Sequence, residues 1–518
     1  MVELDRRALL AAGFAALGSA AWGAPAAALS VAKARLTVHP DEVLNEIPAN
    51  YNGFSVETAQ LSDPAFYHPG NASLVALHRR LSPNGVLRLG GNSSEFCWWK
   101  AISGANPPEI KVVGQGRSDN FMPQRFTPIT PASVDNLCAF LDACGWSCIW
   151  GLNLGTGSPE RDAEEAAYVV KALGKKLLFF QIGNEPDLYK TANNLLRPAG
   201  WDFPDYLNEW TAIAEAVSAR VSGARFGGPD GSPDWVVRFA EEAPKRLGAP
   251  LAGLSAHYYA EGPPNSPDAT IANLLGTDPR IAEGMNAIAP VARAVGLPFR
   301  MTEGNSCYRG GKPGMSNALA SALWGGDYML DMAAHGCKGI NFHGGPGAQI
   351  AGSLGDKLPG AQSAADLEVA RLGTFYSPFA GNRAEGFSAR PIFYGMMLVE
   401  QFARTTLVAN SFDALGANAT AYCAKAGDDL RIALFNKDAG RDLDVRIDLA
   451  GTKARRATAW RLTGPALDAT KGIMLAGAEV GHGSAAWRPR STQAVPVRDA
   501  SLAVRLPRAS ALLLFVES

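Results

Sequence analysis

FFQIGNEPDLY, Phe179 to Tyr189, is the stretch from which the rest of the chain can be read. Leu177, Leu178, Phe179, Phe180 and Ile182 form an apolar run that breaks off at Gly183-Asn184-Glu185-Pro186-Asp187. A short, continuously apolar run bounded by Gly and Pro reads as a strand buried on both faces, as in a parallel sheet. Pro186 has no amide hydrogen and ends the ladder. Glu185 therefore stands at the C-terminal mouth of a buried strand, with a carboxamide before it. Taken alone, such a residue is an ordinary acid opening a loop. A second copy changes the reading: in PFRMTEGNS, Glu303 closes another apolar segment, Pro298 to Thr302. Two carboxylates at the same end of two parallel strands form the working pair of a glycosidase.

Outward from these two strands, short apolar segments alternate with longer helical ones. Strands are expected at 52–56, 86–89, 148–154, 177–183, 225–228, 253–257, 299–302 and 338–342. Helices are expected near 72–81, 131–143, 160–173, 204–221, 234–245, 281–295, 316–334 and 393–403. Eight strand–helix units in sequence are the count of a (β/α)8 TIM barrel. The other arrangement considered, a doubly wound open sheet, seldom repeats eight times without interruption.

From about Leu407 the texture becomes short alternating strands joined by Gly, Asp and Asn turns, as in RDLDVRIDLAG and SALLLFVES. That is the pattern of an antiparallel β-sandwich. The alternating segment at Lys33 to Val38 has no helix behind it and is expected to join the same sheet. The expected division is a leader over 1–28, an N-terminal sandwich strand over 29–44, the barrel over 45–405 and the sandwich over 406–518. In the leader, Arg6-Arg7 precede the apolar run Ala8 to Trp22 and then small residues through Ala28. This is the layout of a secretory signal, and the arginine pair resembles a twin-arginine signal. The run is too short to span a bilayer comfortably. An exported protein, periplasmic or secreted and without a membrane span once the leader is removed, is the expectation.

Composition narrows the partners. With 518 residues, 47% hydrophobic, 19% charged and a net charge of −1, the chain is an ordinary globular one. A near-zero charge argues against nucleic acid or an anionic membrane as partner. The seven cysteines show no paired Cys-x-x-Cys metal spacing, so no metal site is inferred. Most read as buried thiols, with Cys138 able to pair with Cys144 or Cys148 in an oxidising compartment.

The active face of such a barrel lies at the strand C-termini. Those ends supply Glu57, Asn92, Asn153, Asn184, Glu185, Asp230, His257, Tyr258, Tyr259, Glu303, Asn341 and His343. Each of these alone is more often a satisfied structural polar than a catalyst, but as a ring they point to a ligand. Asn-Glu ending strand four, with Glu ending strand seven, resembles glycoside hydrolase clan A. The motifs GFSVET, VLRLGGNSSEFCWW, QIGNEPD, SAHYY, TEGNSCYRGG and ARPIFYGMM, in that order, resemble family 79, the β-glucuronidase and heparanase family. The resemblance runs from about Phe54 through the eighth helix.

That resemblance implies Glu185 as general acid/base and Glu303 as nucleophile. It also implies Asn184 on the sugar 2-hydroxyl, and Glu57, Asn92 and Tyr258 on the glucuronic acid ring. The sugar carboxylate is implied to meet the loop Tyr308-Arg309-Gly310-Gly311 and a tyrosine after strand eight, for which Tyr376 is the candidate. Arg309 stands where some relatives carry glycine. A retaining mechanism needs the carboxyl groups about 5–5.5 Å apart, one attacking the anomeric carbon while the other protonates the leaving oxygen. Tyr258 is expected to orient Glu303. No cofactor is needed, and the partner is a carbohydrate, a glucuronide.

Three other readings stay open. An endo-acting, heparanase-like glycosaminoglycan hydrolase would favour a strongly basic cleft, whereas this chain is near neutral and the long segments 107–121 and 344–381 suit a walled-off, exo-acting site. A β-xylosidase or β-glucosidase of the same clan would differ in not preferring an acid sugar. A carbohydrate-binding protein that had lost catalysis would lack one of the two glutamates, and both are present.

Overall fold

The computed structural model describes residues 31–110, 112–247, 251–449 and 451–518. The leader expected over 1–28 lies outside the described residues. Eight parallel strands close into a barrel in chain order: Asn52–Glu57, Val86–Gly90, Ser147–Leu152, Leu177–Ile182, Phe226–Gly231, Leu251–Glu261, Phe299–Cys307 and Ile340–His343, the eighth pairing back onto the first. Strands one to four are almost wholly buried, as expected for a parallel sheet covered by helices. The covering helices are Ala72–Leu81, Pro131–Cys144, Pro159–Leu173, Phe203–Arg220, Pro233–Arg246, Pro279–Val295, Leu319–Ala334 and Pro391–Glu400. Most begin with a proline in the first turn, where no amide is missed. Thr130, Ser158 and Asp278 cap theirs by accepting backbone amides.

Two strands run further than their sequence suggests. The sixth continues to Glu261 and the seventh to Cys307, with Asn305 opposite Tyr259 and Cys307 opposite Glu261. Polar residues that look like loop signals are here still paired in the ladder. His257, Tyr258, Tyr259 and Glu303 therefore sit inside pleated strands, and the pleat decides which of them face the barrel axis. The segment 344–381 also contains two short helices, Gly347–Ser353 and Ala364–Leu372, the second begun by a reciprocal Ser363–Asp366 capping box.

Residues Val31–Ile47 pair antiparallel with Thr405–Asp413 and parallel with Asp442–Asp448, inside a ten-stranded sheet otherwise built from the C-terminal strands. That sheet curls around its own apolar core, which includes Leu36, Val38, Ile432, Leu434, Val445 and Leu512. Asp327 on the seventh covering helix joins the two bodies. It accepts from Lys437 at 2.6 Å, from Tyr422 at 2.8 Å and from Thr420. All seven cysteines are free, so the pairing considered for Cys138 does not occur. The Cys138 thiol instead lies 3.0 Å from the Ala172 carbonyl. No described helix is long and apolar enough to cross a membrane.

Candidate active site

The barrel axis is filled by polar side chains, and Arg88 is their centre. It lies mid-strand in VLRLG, where each neighbouring apolar residue is also buried. Its Nη1 donates to Glu303 Oε2 at 2.7 Å and its Nη2 to Asp230 Oδ2 at 2.7 Å. Nη2 also reaches Asn184 Oδ1 at 2.9 Å, and Nε reaches Gln181 Oε1 at 3.1 Å. A buried guanidinium needs this many acceptors, because isolated charge in a dry interior is strongly unfavourable. Asp230 is held well below the usual carboxylate range: burial pushes it up, but Arg88 and His257 outweigh burial.

Glu303, within strand seven, and Glu185, just past the end of strand four, stand over this network. One carboxylate oxygen of each, with a ring nitrogen of His257, lies within 4.8 Å of the others. Glu303 is buried and bonded through both oxygens, Oε2 to Arg88 and Oε1 to the Tyr259 hydroxyl at 2.7 Å. Burial raises its pKa, but His343, His257 and Arg88, helped by Tyr259, bring it down to about 2. It is a fixed carboxylate at neutral pH. Glu185 is more open, and one oxygen lies 3.1 Å from His257 Nδ1. Its backbone takes the left-handed conformation, φ 49°, and its amide donates to the Asp230 carbonyl at 3.0 Å. Burial lowers the His257 pKa, yet the negative charges of Glu303 and Asp230 carry it up to about 10. A metal ion fits poorly among these three ligands. It would sit beside the Arg88 guanidinium, and Glu303 has already committed both oxygens.

A cavity of about 380 Å³ opens over the pair and is lined by Glu57, Asn92, Glu185, Glu303, Arg309 and Tyr376, among others. Glu57 accepts the Ser93 amide at 2.9 Å and lies 3.3 Å from His343 Nε2. Gly91 is required beside it: φ is +69°, and a Cβ there would fall 2.4 Å from Glu57 Oε2. Asn92 donates weakly to the Phe121 and Ser353 carbonyls, at 3.4 and 3.3 Å, and so ties both long insertions to the barrel mouth. Phe121, Ile350, Ser353 and Leu354 from those insertions wall the cavity. The Arg309 guanidinium lies 3.6 Å from the centre of the Phe121 ring. Asn184 is buried just behind Asn92, 3.4 Å from it, between Arg88 and the cavity wall.

Three expectations are corrected by the geometry. Tyr258 does not orient Glu303; its hydroxyl donates to Asp278 at 2.6 Å and its ring stacks on Tyr328. Tyr259 takes that role, because successive strand residues face opposite sides and His257 and Tyr259 share the inward one. Gly310 is not among the residues lining the cavity; Tyr308 and Arg309 from the same loop are. A Cβ on Gly310 would lie 2.8 Å from Leu358, so the glycine is needed for packing, with φ at +92°. Asn153 and Asn341 turn away from the site. Asn153 bonds Cys97 and Thr156, and Asn341 bonds Phe54, Val86 and Arg300 at the opposite end of the barrel.

Arg88, a lone cation inside an apolar strand, is not among the expected site residues. Nor is Glu95. It is buried, accepts the Asn184 amide at 2.5 Å and the Gly155 amide, and burial pushes its pKa up to about 7. It holds the backbone just ahead of Glu185.

No protein-family model matches the chain. It is 28% identical over 335 residues to a β-glucuronidase of Aspergillus niger, a match covering 59% of this chain and 60% of that protein. It is 29% identical over 286 residues to a β-glucuronidase of Neurospora crassa, covering 50% and 49%. The chain thus spans about half to three-fifths of the length of these curated relatives. A 4-O-α-L-rhamnosyl-β-D-glucuronidase from Fusarium oxysporum 12S, solved in complex with Rha-GlcA, superposes with a TM-score of 0.68 at 17% identity, over 93% of this chain and 99% of that one. A GH51 arabinofuranosidase from Xanthomonas axonopodis pv. citri superposes with a TM-score of 0.62 at 17% identity, over 94% and 100%. At these identities the solved structures establish a shared architecture: a closed barrel with an attached antiparallel sheet.

Proposed function

We propose that the chain is an exported, retaining β-glucuronidase of glycoside hydrolase family 79, releasing terminal β-linked glucuronic acid from glycoconjugates or polysaccharides. The observation that carries this reading is the Glu185–Glu303 pair, with oxygens within 4.8 Å at the barrel mouth. That is the close spacing of double displacement; inverting pairs stand about 6.5–9.5 Å apart to admit a water. The two fungal relatives carry the name β-glucuronidase and the Fusarium neighbour acts on a rhamnosylated glucuronide, which supports an acid sugar as substrate.

In the first step Glu303 attacks the anomeric carbon as Glu185 gives its proton to the leaving oxygen. A glucuronyl ester forms on Glu303 and the aglycone departs. His257, its Nδ1 3.1 Å from Glu185, is placed to hydrogen-bond the Glu185 carboxylate that this transfer creates. In the second step Glu185 takes a proton from water, the oxygen of that water bonds to the anomeric carbon, and Glu303 leaves as a carboxylate. Arg88 and Tyr259 receive its returning charge with hydrogen bonds already in place, the preorganised stabilisation that such sites use. Arg309, Tyr308 and Tyr376 provide a cation and two hydroxyls for the sugar carboxylate.

An exo-acting enzyme is favoured over a heparanase-like one by the cavity itself. Glu57, Glu185 and Glu303 outnumber Arg309 among its charged residues, apart from His343, and the insertions close one side. A polysulfated chain would meet repulsion there. Aryl β-glucuronide, β-glucoside and β-xyloside, offered side by side, test the proposal. Marked preference for the glucuronide is expected, and equal turnover of all three would remove the acid-sugar reading.

A further inference from the structure

Glu185 borders two cavities. The first, described above, it shares with Glu303. The second, of about 280 Å³, lies between the outer face of strands six and seven and the helix Pro279–Val295, and Glu303 does not reach it. Glu185, Leu188 and Tyr259 line both. In double displacement the nucleophile and the leaving group stand on opposite faces of the anomeric carbon, and the acid must touch the leaving oxygen. A sugar over Glu303 therefore directs its aglycone past Glu185, toward the second cavity.

We propose that this second cavity is the leaving-group subsite, and that it selects an apolar, aromatic aglycone over a second sugar. This rests on the retaining β-glucuronidase reading and deepens it. Much of its wall is apolar, from Leu188, Pro233, Ile281, Met285, Met301 and Met332. Leu188 is 40% exposed at the junction of the two cavities, an apolar side chain left in water where a ligand would cover it. The methionines give a wall that adapts to flat rings of different outline. Asp187 supplies a polar exception: its Oδ1 is buried without a hydrogen-bond partner, while Oδ2 accepts the Ser232 amide at 3.1 Å. Pyranose rings of a polysaccharide would instead leave many hydroxyls unpaired against the aliphatic wall.

The test compares phenyl and 2-naphthyl β-glucuronide, whose leaving groups have similar acidity. Burying the extra ring should raise kcat/KM for the naphthyl compound roughly tenfold in the wild type. Ile281→Asp should erase that preference by wetting the wall. Gly284→Leu should reverse it by filling the space, since Gly284 sits on a helix with Pro233 3.3 Å from where its Cβ would be. Inhibition by free glucuronic acid, which reads the sugar cavity and the fold together, should be unchanged in both variants. No naphthyl preference in the wild type, or a preference surviving both substitutions, would overturn the inference while leaving the glucuronidase reading intact. Weakened glucuronic acid inhibition in correctly melting variants would also overturn it, by making the two cavities one. Failure of the wild type to hydrolyse any aryl glucuronide would instead remove the parent reading, and the inference with it.

Discussion

Replacing Tyr259 by Phe removes one hydroxyl, and the structure says which step should suffer. That hydroxyl donates to Glu303 Oε1 at 2.7 Å in a buried site. Hydrogen bonds to charged groups are worth about 1.5–3 kcal/mol, which at 1.4 kcal/mol per decade corresponds to roughly tenfold to a hundredfold in rate if fully expressed. In the first step Glu303 loses its charge, so this bond weakens on the way to the ester. In the second step the charge returns, and the bond helps Glu303 leave. Tyr259→Phe should therefore slow release of the glucuronyl-enzyme more than its formation. With a 2,4-dinitrophenyl glucuronide, kcat should fall about tenfold to a hundredfold, KM should fall with it, and rapid mixing should reveal a burst of phenolate. Tyr258→Phe is the control: its hydroxyl donates to Asp278 rather than to Glu303, so release of the glucuronyl-enzyme should keep its wild-type rate. Equal losses in both variants, or a Tyr259→Phe enzyme whose KM rises with no burst, would refute the geometry and the reasoning built on it.

Glu303→Ala should abolish turnover of every substrate, whereas Glu185→Ala should retain its first step on acidic phenols and recover its second with azide; equal loss on good and poor leaving groups would unseat the acid/base role. Arg309→Met should raise KM for aryl β-glucuronide about tenfold or more while leaving weak glucoside hydrolysis unchanged, as measured by steady-state kinetics; parallel losses on both sugars would take the carboxylate contact from it. Arg88→Met should cost about 3–5 kcal/mol of stability at neutral pH, because Asp230 and Glu303 are left buried without their cation. Glu303 is depressed in the folded state to about 2, so the stability it contributes is present above its unfolded pKa of about 4.3 and is lost as pH falls toward 2. The deficit of Arg88→Met, followed by urea unfolding, should accordingly shrink as pH falls through that window, and a deficit that grows in acid would contradict the assignment.

The barrel was legible because its strands are short apolar runs between helices of ordinary length, and burial on both faces writes that pattern directly. The carboxylate pair was legible for the same reason: Glu185 and Glu303 interrupt apolar runs where nothing structural calls for an acid. The choice between Tyr258 and Tyr259 was not. It depends on the pleat phase of strands six and seven, and their pairing shows an irregularity between Met301 and Glu303 that offsets the two strands by one residue. A single-residue offset turns every later side chain to the other face. The Gly310 contact was misread because a glycine that admits a ligand and one that admits a leucine look alike in sequence. Arg88 is not legible because a cation inside a strand reads as noise until three distant acceptors, from strands five and seven and the turn after strand four, are brought around it. Cavity walls from 107–121 and 344–381 follow from folding back over the mouth, which no local pattern encodes.

The stereochemistry of the first product tests the central claim most directly. Proton NMR of the anomeric region, recorded while an aryl β-glucuronide is hydrolysed faster than glucuronic acid mutarotates, distinguishes the two outcomes. Two displacements across the closely spaced Glu185–Glu303 pair should release β-glucuronic acid first, with the α-anomer growing in later. First appearance of the α-anomer would mean that water attacks in a single displacement, and would contradict the assignment of Glu303 as nucleophile.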